Sequence, residues 1–170
     1  MKLFHVSEEE NIKKFVPRFS ERIQKPAVWA IAELKLANYL LPRNCPRVCF
    51  SANENTTKED IQRYLGSSKQ VVAIESYWYQ TAIATTLYLY EMPRDTFTLF
   101  DAVAGYYIAN SAIVPLKKHV VKQPIQTVLK RNIELRVLPS LWQLQDEIVN
   151  SSLDFSAIRM KNAQPMNKII

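Results

Sequence analysis

Glycine is almost absent from this chain: the 170 residues contain only two, Gly66 and Gly105. At the usual frequency of roughly 7%, a chain of this length would contain about 12. Turns that cradle phosphates need several glycines, because the backbone there approaches the ligand closely or adopts a positive φ. The sequence therefore excludes Gly-x-Gly-x-x-Gly dinucleotide-binding folds, P-loop NTPases, protein kinases and hydrolases with a Gly-x-Ser-x-Gly elbow.

The composition is that of one globular domain. Hydrophobic residues make up 48% of the chain and charged residues 22%, which is enough apolar side chain for a core at this length. No repeat, low-complexity linker or change in composition marks a boundary. We therefore predict a single domain over residues 1–170, with a frayed tail at 164–170.

Hydrophobic periodicity predicts an irregular mixture of strands and helices. Short apolar runs predict strands at residues 3–6, 27–31, 47–50, 70–75, 86–91, 96–100, 105–109, 113–121 and 133–137. Capping patterns and helical spacing predict helices between Ser7 and Pro17, at residues 33–41, 57–65, 76–82 and 124–132, and from Pro139 onward. Because strands and helices do not alternate strictly, the pattern favours an α+β domain with split, mostly antiparallel sheets flanked by helices.

The cysteines and histidines do not form a metal-binding pattern. Cys45 and Cys49 are four residues apart, while His5 and His119 are far from them in sequence. A structural zinc site needs four ligands at suitable spacing. We therefore expect no metal site and two buried, reduced thiols.

The sequence predicts neither export nor a membrane span. The two longest uncharged stretches, residues 76–90 and 102–116, are shorter than the roughly 18 residues that a membrane helix needs. The first residues lack the apolar run of a signal peptide. We therefore expect a cytoplasmic protein with no membrane contact.

Positive charge is concentrated in the last third of the chain. The net charge is +6, and residues 114–170 contain nine basic and four acidic residues. These cations lie in several elements with no run longer than two, which favours a solvated face over a nucleic-acid partner. The alternative function is a non-enzymatic interaction module that uses this basic third to bind an acidic protein or nucleic acid.

Two groups of side chains are candidates for ligand binding. His5 and Ser7 share a face of the first predicted strand and could bind a ribose hydroxyl or position a water. Arg43 and Arg47 lie in and beside a proline-bounded loop and could grip a phosphate or carboxylate, while Cys45 between them would have a lowered pKa if exposed. A packed or surface histidine and an ordinary surface turn are the simpler interpretations.

The opening of the chain has a recognisable pattern of residues. It reads Leu-Phe-His-Val-Ser-Glu at residues 3–8, then has Ile12, Phe15 and Pro17, then a predicted strand around Trp29. This pattern resembles the opening of ADP-ribosyltransferase-like domains, which begin aromatic-His-x-Ser/Thr, continue with an Ile, a Phe and a Pro, and carry an aromatic residue in their second strand. Segments 87–91, 106–109 and 113–116 are similar to later strands of that fold. Through blocks such as Val-Trp-Ala-Ile and Pro-Ser-Leu-Trp-Gln-Leu, the chain also resembles a group of bacterial proteins without an assigned activity.

The resemblance implies an ADP-ribosyltransferase-like fold with a nucleotide-sized cleft, and NAD or a related nucleotide as the ligand. In that family the first-strand histidine, matched by His5, binds the ribose on the nicotinamide side. The second-strand aromatic residue, matched by Trp29 with Tyr39 as a rival, stacks on nicotinamide. The residues predicted to bind the ligand are His5, Ser7, Trp29, Tyr39, Arg43, Arg47 and Tyr107.

The family's catalytic acid is missing from the strand where the resemblance would place it. That strand reads Gly-Tyr-Tyr-Ile-Ala-Asn at residues 105–110, and the candidate carboxylates elsewhere are Asp101, Glu91 and Glu75. A carboxylate stabilises the positive charge that develops on the ribose, whereas tyrosine is uncharged at neutral pH. We therefore predict ligand binding without ordinary transferase activity and assign no catalytic residue.

Overall fold

The structure, a computed structural model, describes residues 1–165 and has an α+β architecture. Its strands form a seven-stranded and a four-stranded sheet, and all strand pairs except one are antiparallel within the described chain. The predicted α+β class with two mostly antiparallel sheets is confirmed. No helix within residues 1–165 is long and apolar enough to cross a membrane.

The strands and helices have the following bounds. The strands are β1 (Leu3–Ser7), β2 (Arg18–Ser20), β3 (Lys25–Ala32), β4 (Arg47–Ser51), β5 (Gln70–Glu75), β6 (Leu87–Met92), β7 (Thr98–Asp101), β8 (Tyr106–Ala109), β9 (Lys117–Val121), β10 (Glu134–Leu138) and β11 (Asp154–Ile158). The helices are α1 (Lys58–Asp60, continued as a π-helix over Ile61–Leu65), α2 (Ser76–Ala84), α3 (Pro124–Lys130) and α4 (Trp142–Val149). Short 3-10 helices occupy Glu33–Tyr39, Arg94–Thr96 and Met160–Asn162.

The chain packs as two compact units, each made of two segments. The first unit comprises Met1–Tyr39 and Thr86–Lys122, and the second comprises Leu40–Thr85 and the chain from Gln123 onward. A domain is defined by its ability to fold alone, so the single domain over residues 1–170 stays a prediction.

The first unit has its core on one face of the larger sheet. The strand order is β7-β8-β3-β1-β6-β9, with β2 paired to β3. The irregular segment after β1 crosses this face, and Phe15 forms an isolated antiparallel bridge with Ile113 through two hydrogen bonds of 2.8 Å. The buried core residues on this face are Leu3, Phe15, Val28, Ala30, Ala32, Tyr90, Met92, Phe97, Tyr107, Ala109 and Ile113.

The second unit is a smaller sheet with helices on both faces. Its strand order is β10-β5-β4-β11, and β10 with β5 is the parallel pair. Val48, Phe50 and Leu141 belong to one apolar cluster, while Cys49 and Ile125 belong to a second cluster on the other face. Burial on both faces agrees with the continuous apolar run of β5, which is typical of a covered strand.

The predicted helix between Ser7 and Pro17 is wrong. The Ser7 hydroxyl accepts a hydrogen bond from the backbone N–H of Glu9, only two residues on, at 3.0 Å. Serine side chains compete with helical hydrogen bonding in this way, and they favour turns. The bridge between Phe15 and Ile113 then holds the segment extended, so tertiary pairing replaces the helix.

The end of the described chain is anchored. Within the tail that the sequence predicts to be frayed, the backbone N–H of Gln164 is 3.1 Å from both carboxylate oxygens of Glu75. The carbonyl of Gln164 accepts a hydrogen bond of 2.6 Å from the indole of Trp142. Residues 166–170 lie outside the described residues, and fraying there stays a prediction.

Candidate ligand-binding site

Trp29 lies among several partly exposed aromatic side chains of the first unit. It is opposite Ile108 in the pair of β3 with β8. Tyr106, two residues before Ile108, has the same orientation because side chains alternate along a strand. The rings of Trp29 and Tyr106 have centroids 5.3 Å apart and meet edge to face. Tyr39, which ends a 3-10 helix, contributes a third ring 5.7 Å from Tyr106.

A β-bulge brings in a fourth ring. The pairing of β7 with β8 shifts between Leu99 and Asp101, so Phe100 is an extra residue in β7. A bulge sets two residues against one on the partner strand and redirects their side chains. The Phe100 ring lies 5.3 Å from that of Trp29, again edge to face. We call these four side chains the aromatic cluster: Trp29, Tyr39, Phe100 and Tyr106.

Arg22 supplies a cation to the aromatic cluster. It lies in the turn between β2 and β3, and its guanidinium carbon is 4.9 Å from the centroid of Tyr106 and 5.4 Å from that of Phe100. The same guanidinium forms a 2.8 Å ion pair with Asp101. Aromatic faces attract cations at this range. One surface therefore presents aromatic rings, a cation and a carboxylate, and Phe100 on it is 39% exposed.

Gly105 controls how closely two parts of the cluster approach each other. It has a φ of +71°, and a Cβ placed on it would lie 2.7 Å from Cγ of Lys35. Lys35 belongs to the 3-10 helix that ends at Tyr39, while Gly105 directly precedes Tyr106. The missing side chain therefore allows the helix to pack against the start of β8.

His5 lies on the other face of the sheet from Trp29. Leu3 pairs with Ala32, and His5 shares the face of Leu3, whereas Trp29 is an odd number of residues from Ala32 and faces the opposite way. The His5 ring packs 4.7 Å from that of Phe15, which belongs to the core. The two side chains expected to meet in one cleft are therefore separated by the sheet.

The contacts of the remaining predicted residues in the first unit are structural. His5 Nδ1 is 2.8 Å from the backbone carbonyl oxygen of Trp29, and Ser7 is bonded to a turn of its own segment. Tyr107 is 8% exposed on the core face, where the guanidinium of Arg94 lies 4.7 Å from its ring. The structure thus brings Trp29 and Tyr39 together and places the other three elsewhere; ligand binding by those three stays a prediction.

Arg43 and Arg47 belong to the second unit, and they differ in exposure. Arg43 is exposed, whereas Arg47 is 3% exposed and donates 3.3 Å hydrogen bonds to the carbonyls of Pro42 and Arg43. Burial raises the pKa of the Cys45 thiol to about 11, although nearby Arg47 acts in the opposite direction. A reactive thiolate at Cys45, which would require exposure, does not fit this geometry.

The three carboxylates considered for the missing acid are all engaged. One oxygen of Asp101 accepts from Arg22 and the other from the backbone N–H of Ala104 at 3.0 Å. Glu91 lies 3.1 Å from Nζ of Lys2 and 3.3 Å from Nε2 of His119. The hydrogen bond from Lys2 is the main reason why the pKa of Glu91 is lowered. The third, Glu75, is fully buried in the second unit.

A shallow groove in the second unit is the other concave feature of interest. It has a volume of about 460 Å³ and is lined by Asp60, Arg63, Tyr64, Asp146, Glu147, Asn150 and Ser151. Arg63 already pairs with Glu147 at 3.3 Å, and Asp60 accepts hydrogen bonds from Ser152, which lower its pKa. Because Arg63, Glu147 and Asp60 are already engaged by these contacts, we favour the aromatic cluster as the candidate site.

The basic third of the chain does not form one continuous element. Lys117, Lys118 and Lys122 belong to the first unit, and the later cations belong to the second. Lys118 contacts Glu10, and Arg136 pairs with Glu134 at 2.9 Å. Lys168 lies outside the described residues. The interaction module stays an alternative prediction.

Sequence reasoning missed Arg22, Phe100 and Tyr106 as parts of the site, and it considered Asp101 only as a candidate for the missing acid. The signal for Tyr106 was its aromatic side chain in the predicted strand at residues 105–109, but its position beside Trp29 follows from the pairing of Ile108 with Trp29. No local pattern marks the bulge at Phe100 or the turn that carries Arg22, because both depend on how distant strands pair.

The comparisons with known proteins give a family and nothing further. No curated protein and no solved structure matches the chain. A family model matches residues 4–163, nearly the whole sequence. The chain therefore belongs to the family of unknown function DUF6886.

Proposed function

We propose that this protein binds a nucleotide-sized ligand whose planar ring stacks on the aromatic cluster of the first unit. The observation that carries the proposal is the convergence of Trp29, Phe100 and Tyr106, with the guanidinium of Arg22 over the rings of Phe100 and Tyr106. Nucleobases and similar rings stack on aromatic side chains and on guanidinium planes, at about 1–3 kcal/mol for each base.

NAD or a related nucleotide is the ligand that fits the resemblance to ADP-ribosyltransferase-like domains, and that fold assignment is part of the proposal. The resemblance gives the stacking role to Trp29, with Tyr39 as its rival. Support comes from the contact of both rings with Tyr106. A reducing cytoplasm is the proposed compartment, since Cys45 and Cys49 are both buried thiols.

The proposed activity is binding without transfer of ADP-ribose. Transfer would need an ionised carboxylate free to face the developing charge on the ribose. Asp101 is the carboxylate nearest the cluster, and both of its oxygens already accept hydrogen bonds. Arg22 moreover places a positive charge beside it, which opposes stabilisation of a second cation.

Isothermal titration with NAD, AMP and nicotinamide mononucleotide tests the proposal. We expect binding by wild type, and a loss of affinity between about 5-fold and 150-fold in Trp29→Ala, since one stacking contact is removed. Arg22→Gln should also weaken binding. The matched controls are Tyr77→Ala, an aromatic residue of the second unit that is 73% exposed, and Arg18→Gln on β2; both should bind like wild type.

Two results would contradict the proposal. The first is the absence of binding by wild type at millimolar concentrations of all three nucleotides. The second is equal affinity in Trp29→Ala and Tyr77→Ala, which would separate binding from the cluster. Release of nicotinamide from NAD by wild type, abolished in Asp101→Asn, would show transfer chemistry and contradict binding alone.

A further inference from the structure

Charged side chains lie at one edge of the second unit's sheet, namely the edge where β5 ends and β4 begins. Glu75 ends β5, and the parallel pairing with β10 places Leu138 beside it. Arg47 begins the antiparallel strand β4 and pairs with Ile74. In sheets with parallel strands, the edge at the carboxyl ends is where ligands commonly bind. Here that edge contains two charged residues that are almost completely buried, Glu75 at 0% and Arg47 at 3% exposure.

The carboxylate of Glu75 is recognised by the backbone rather than by a cation. It forms no ion pair within residues 1–165, and both of its oxygens lie 3.1 Å from the N–H of Gln164. Removing a carboxylate from water without a cationic partner is strongly unfavourable, so the hydrogen bond from the N–H of Gln164 is important for Glu75.

Both backbone polar groups of Gln164, its N–H and its carbonyl, are bound by side chains. Glu75 accepts from its N–H, and the indole Nε1 of Trp142 donates to its carbonyl at 2.6 Å. We call residues 159–164 the C-terminal strap. The strap is also held by Asn162, whose Nδ2 donates to the carbonyl of Asn44 at 2.7 Å. It begins at Arg159, which has a φ of +57°, a conformation that side chains other than glycine seldom adopt.

A second indole at this end of the sheet has a donor that is not used. Trp78 lies in the first turn of α2, three residues after Glu75, and packs against the apolar cluster that includes Cys45. Its Nε1 is buried and has no hydrogen-bond partner in the described part of the chain. Buried donors are nearly always satisfied, so this N–H is an unused donor of the cluster that also includes Cys45.

We propose that this sheet edge is a binding site for the backbone of an extended peptide segment, and that the C-terminal strap occupies it as an internal competitor. The carboxylate of Glu75 receives the amide N–H of the peptide, and the indole of Trp142 donates to its carbonyl. Opening of the strap admits a peptide in its place and uncovers the loop that contains Cys45. This site is separate from the aromatic cluster and does not depend on the nucleotide proposal.

A pair of variants at one position tests the competitor. Gln164→Pro removes the N–H that binds Glu75, and the preceding Ala163 is already extended at φ −67° and ψ 151°, as a residue before proline should be. Gln164→Ala keeps the backbone N–H and is the matched control. We expect Cys45 to react with a maleimide at least about tenfold faster in Gln164→Pro, because one hydrogen bond to a buried charged group is lost. Peptide mapping separates Cys45 from Cys49.

Peptide binding tests the site directly. The probe is the blocked peptide acetyl-Lys-Asn-Ala-Gln-Pro-amide, which copies residues 161–165. It should bind Gln164→Pro at least about tenfold more tightly than wild type or Gln164→Ala, because the internal competitor is absent. Bound peptide should restore the slow labelling of Cys45. Adding Trp142→Phe to Gln164→Pro should weaken binding of the peptide, since the carbonyl of the bound peptide then has no donor.

The proposal is overturned if Gln164→Pro labels Cys45 at the wild-type rate, or if it binds the peptide no better than Gln164→Ala does. If Gln164→Pro does not fold, hydrogen exchange of wild type decides. Exchange of the Gln164 amide at a rate well above that of global unfolding supports a strap that opens. Exchange only through global unfolding makes the strap a fixed part of the unit and overturns the proposal.

Discussion

In the first unit Arg22 and Asp101 form their ion pair with side chains that are 51% and 26% exposed. In the second unit Arg47 and Glu75 are 3% and 0% exposed, and Glu75 forms no ion pair within the described residues. The chain thus uses an arginine and a carboxylate in two contrasting ways. Water or a ligand can replace the contact between Arg22 and Asp101, because both side chains are partly exposed. The contacts of Arg47 and Glu75 with backbone groups are buried, and they can break only if that part of the unit opens.

This contrast determines which measurement reports on each region. Substitutions at the exposed pair should change affinity and leave the free energy of unfolding almost constant. Substitutions of the buried charges should change the free energy of unfolding directly, because an uncompensated buried charge or carbonyl remains. The following four predictions test that division, from the largest expected effect to the smallest.

Arg47→Ala should lower the free energy of unfolding by about 3 kcal/mol or more, because it leaves the carbonyls of Pro42 and Arg43 without a charged donor. Urea unfolding measures this. Arg131→Ala, at an exposed position of the same unit, is the control and should cost less than about 0.5 kcal/mol. A loss below about 1 kcal/mol for Arg47→Ala would remove the contrast between the two regions.

His5→Ala should lower the free energy of unfolding by about 1–3 kcal/mol, since it removes a hydrogen bond to the carbonyl of Trp29 and a ring contact with Phe15. Nucleotide affinity should stay within about twofold of wild type, because His5 faces away from the aromatic cluster and only a stability effect is expected. Urea unfolding and titration calorimetry on the same variant measure both. Unchanged stability with a large loss of affinity would return His5 to the ligand-binding role implied by the resemblance.

Arg22→Gln and Asp101→Asn should show a coupling free energy below about 1 kcal/mol in a double-mutant cycle, because the pair is exposed. The coupling should shrink when the salt concentration rises from about 0.1 M to about 1 M, since screening acts strongly on exposed pairs. Urea unfolding of the two single variants and the double variant gives the value. A coupling above about 2 kcal/mol would show that this pair is structural like its buried counterpart.

Glu91→Gln should reduce stability at neutral pH, and the difference from wild type should disappear in acid. The folded-state pKa of Glu91 is lowered, mainly by the hydrogen bond from Lys2. Its stabilisation is therefore present above the unfolded-state pKa, about 4.3 for glutamate, and is lost as the pH falls through the folded-state value. Urea unfolding at a series of pH values below neutrality measures this. A constant difference at all pH values contradicts it, and Lys2→Met should weaken the same dependence.

The sequence predicts those elements whose pattern is local. The apolar run at Gln70–Glu75 has the predicted bounds, and Gly66 follows its helix as predicted, with a φ of +56° that glycine adopts without steric cost. These signals work because propensity, periodicity and capping act over a few residues. The helix after Ser7 is one exception, since there a contact with the distant Ile113 outweighs the local signal. Strands β2 and β11, which the sequence analysis does not predict, are two more.

The candidate site could be predicted only in part, because it depends on strand register. Trp29 was identified through the resemblance, as the aromatic residue of the second predicted strand. The sequence does not reveal that His5 faces the other way, since a shift of one residue in the pairing would reverse every side chain of a strand. It also does not reveal that Arg43 and Arg47 belong to the second unit, because the chain enters each unit twice.

Gly105, one of the two glycines of this chain, also limits the substitutions that the family can accept during evolution. Any side chain at position 105 would meet Lys35 and would also oppose the positive φ. We expect relatives with a larger residue there to have lost the close approach of the rings at positions 39 and 106 as well. Glycine at this position would then be inherited together with the aromatic residues, although it contacts no ligand itself. In a sequence alignment of the family, the residues at positions 39, 105 and 106 should then change together.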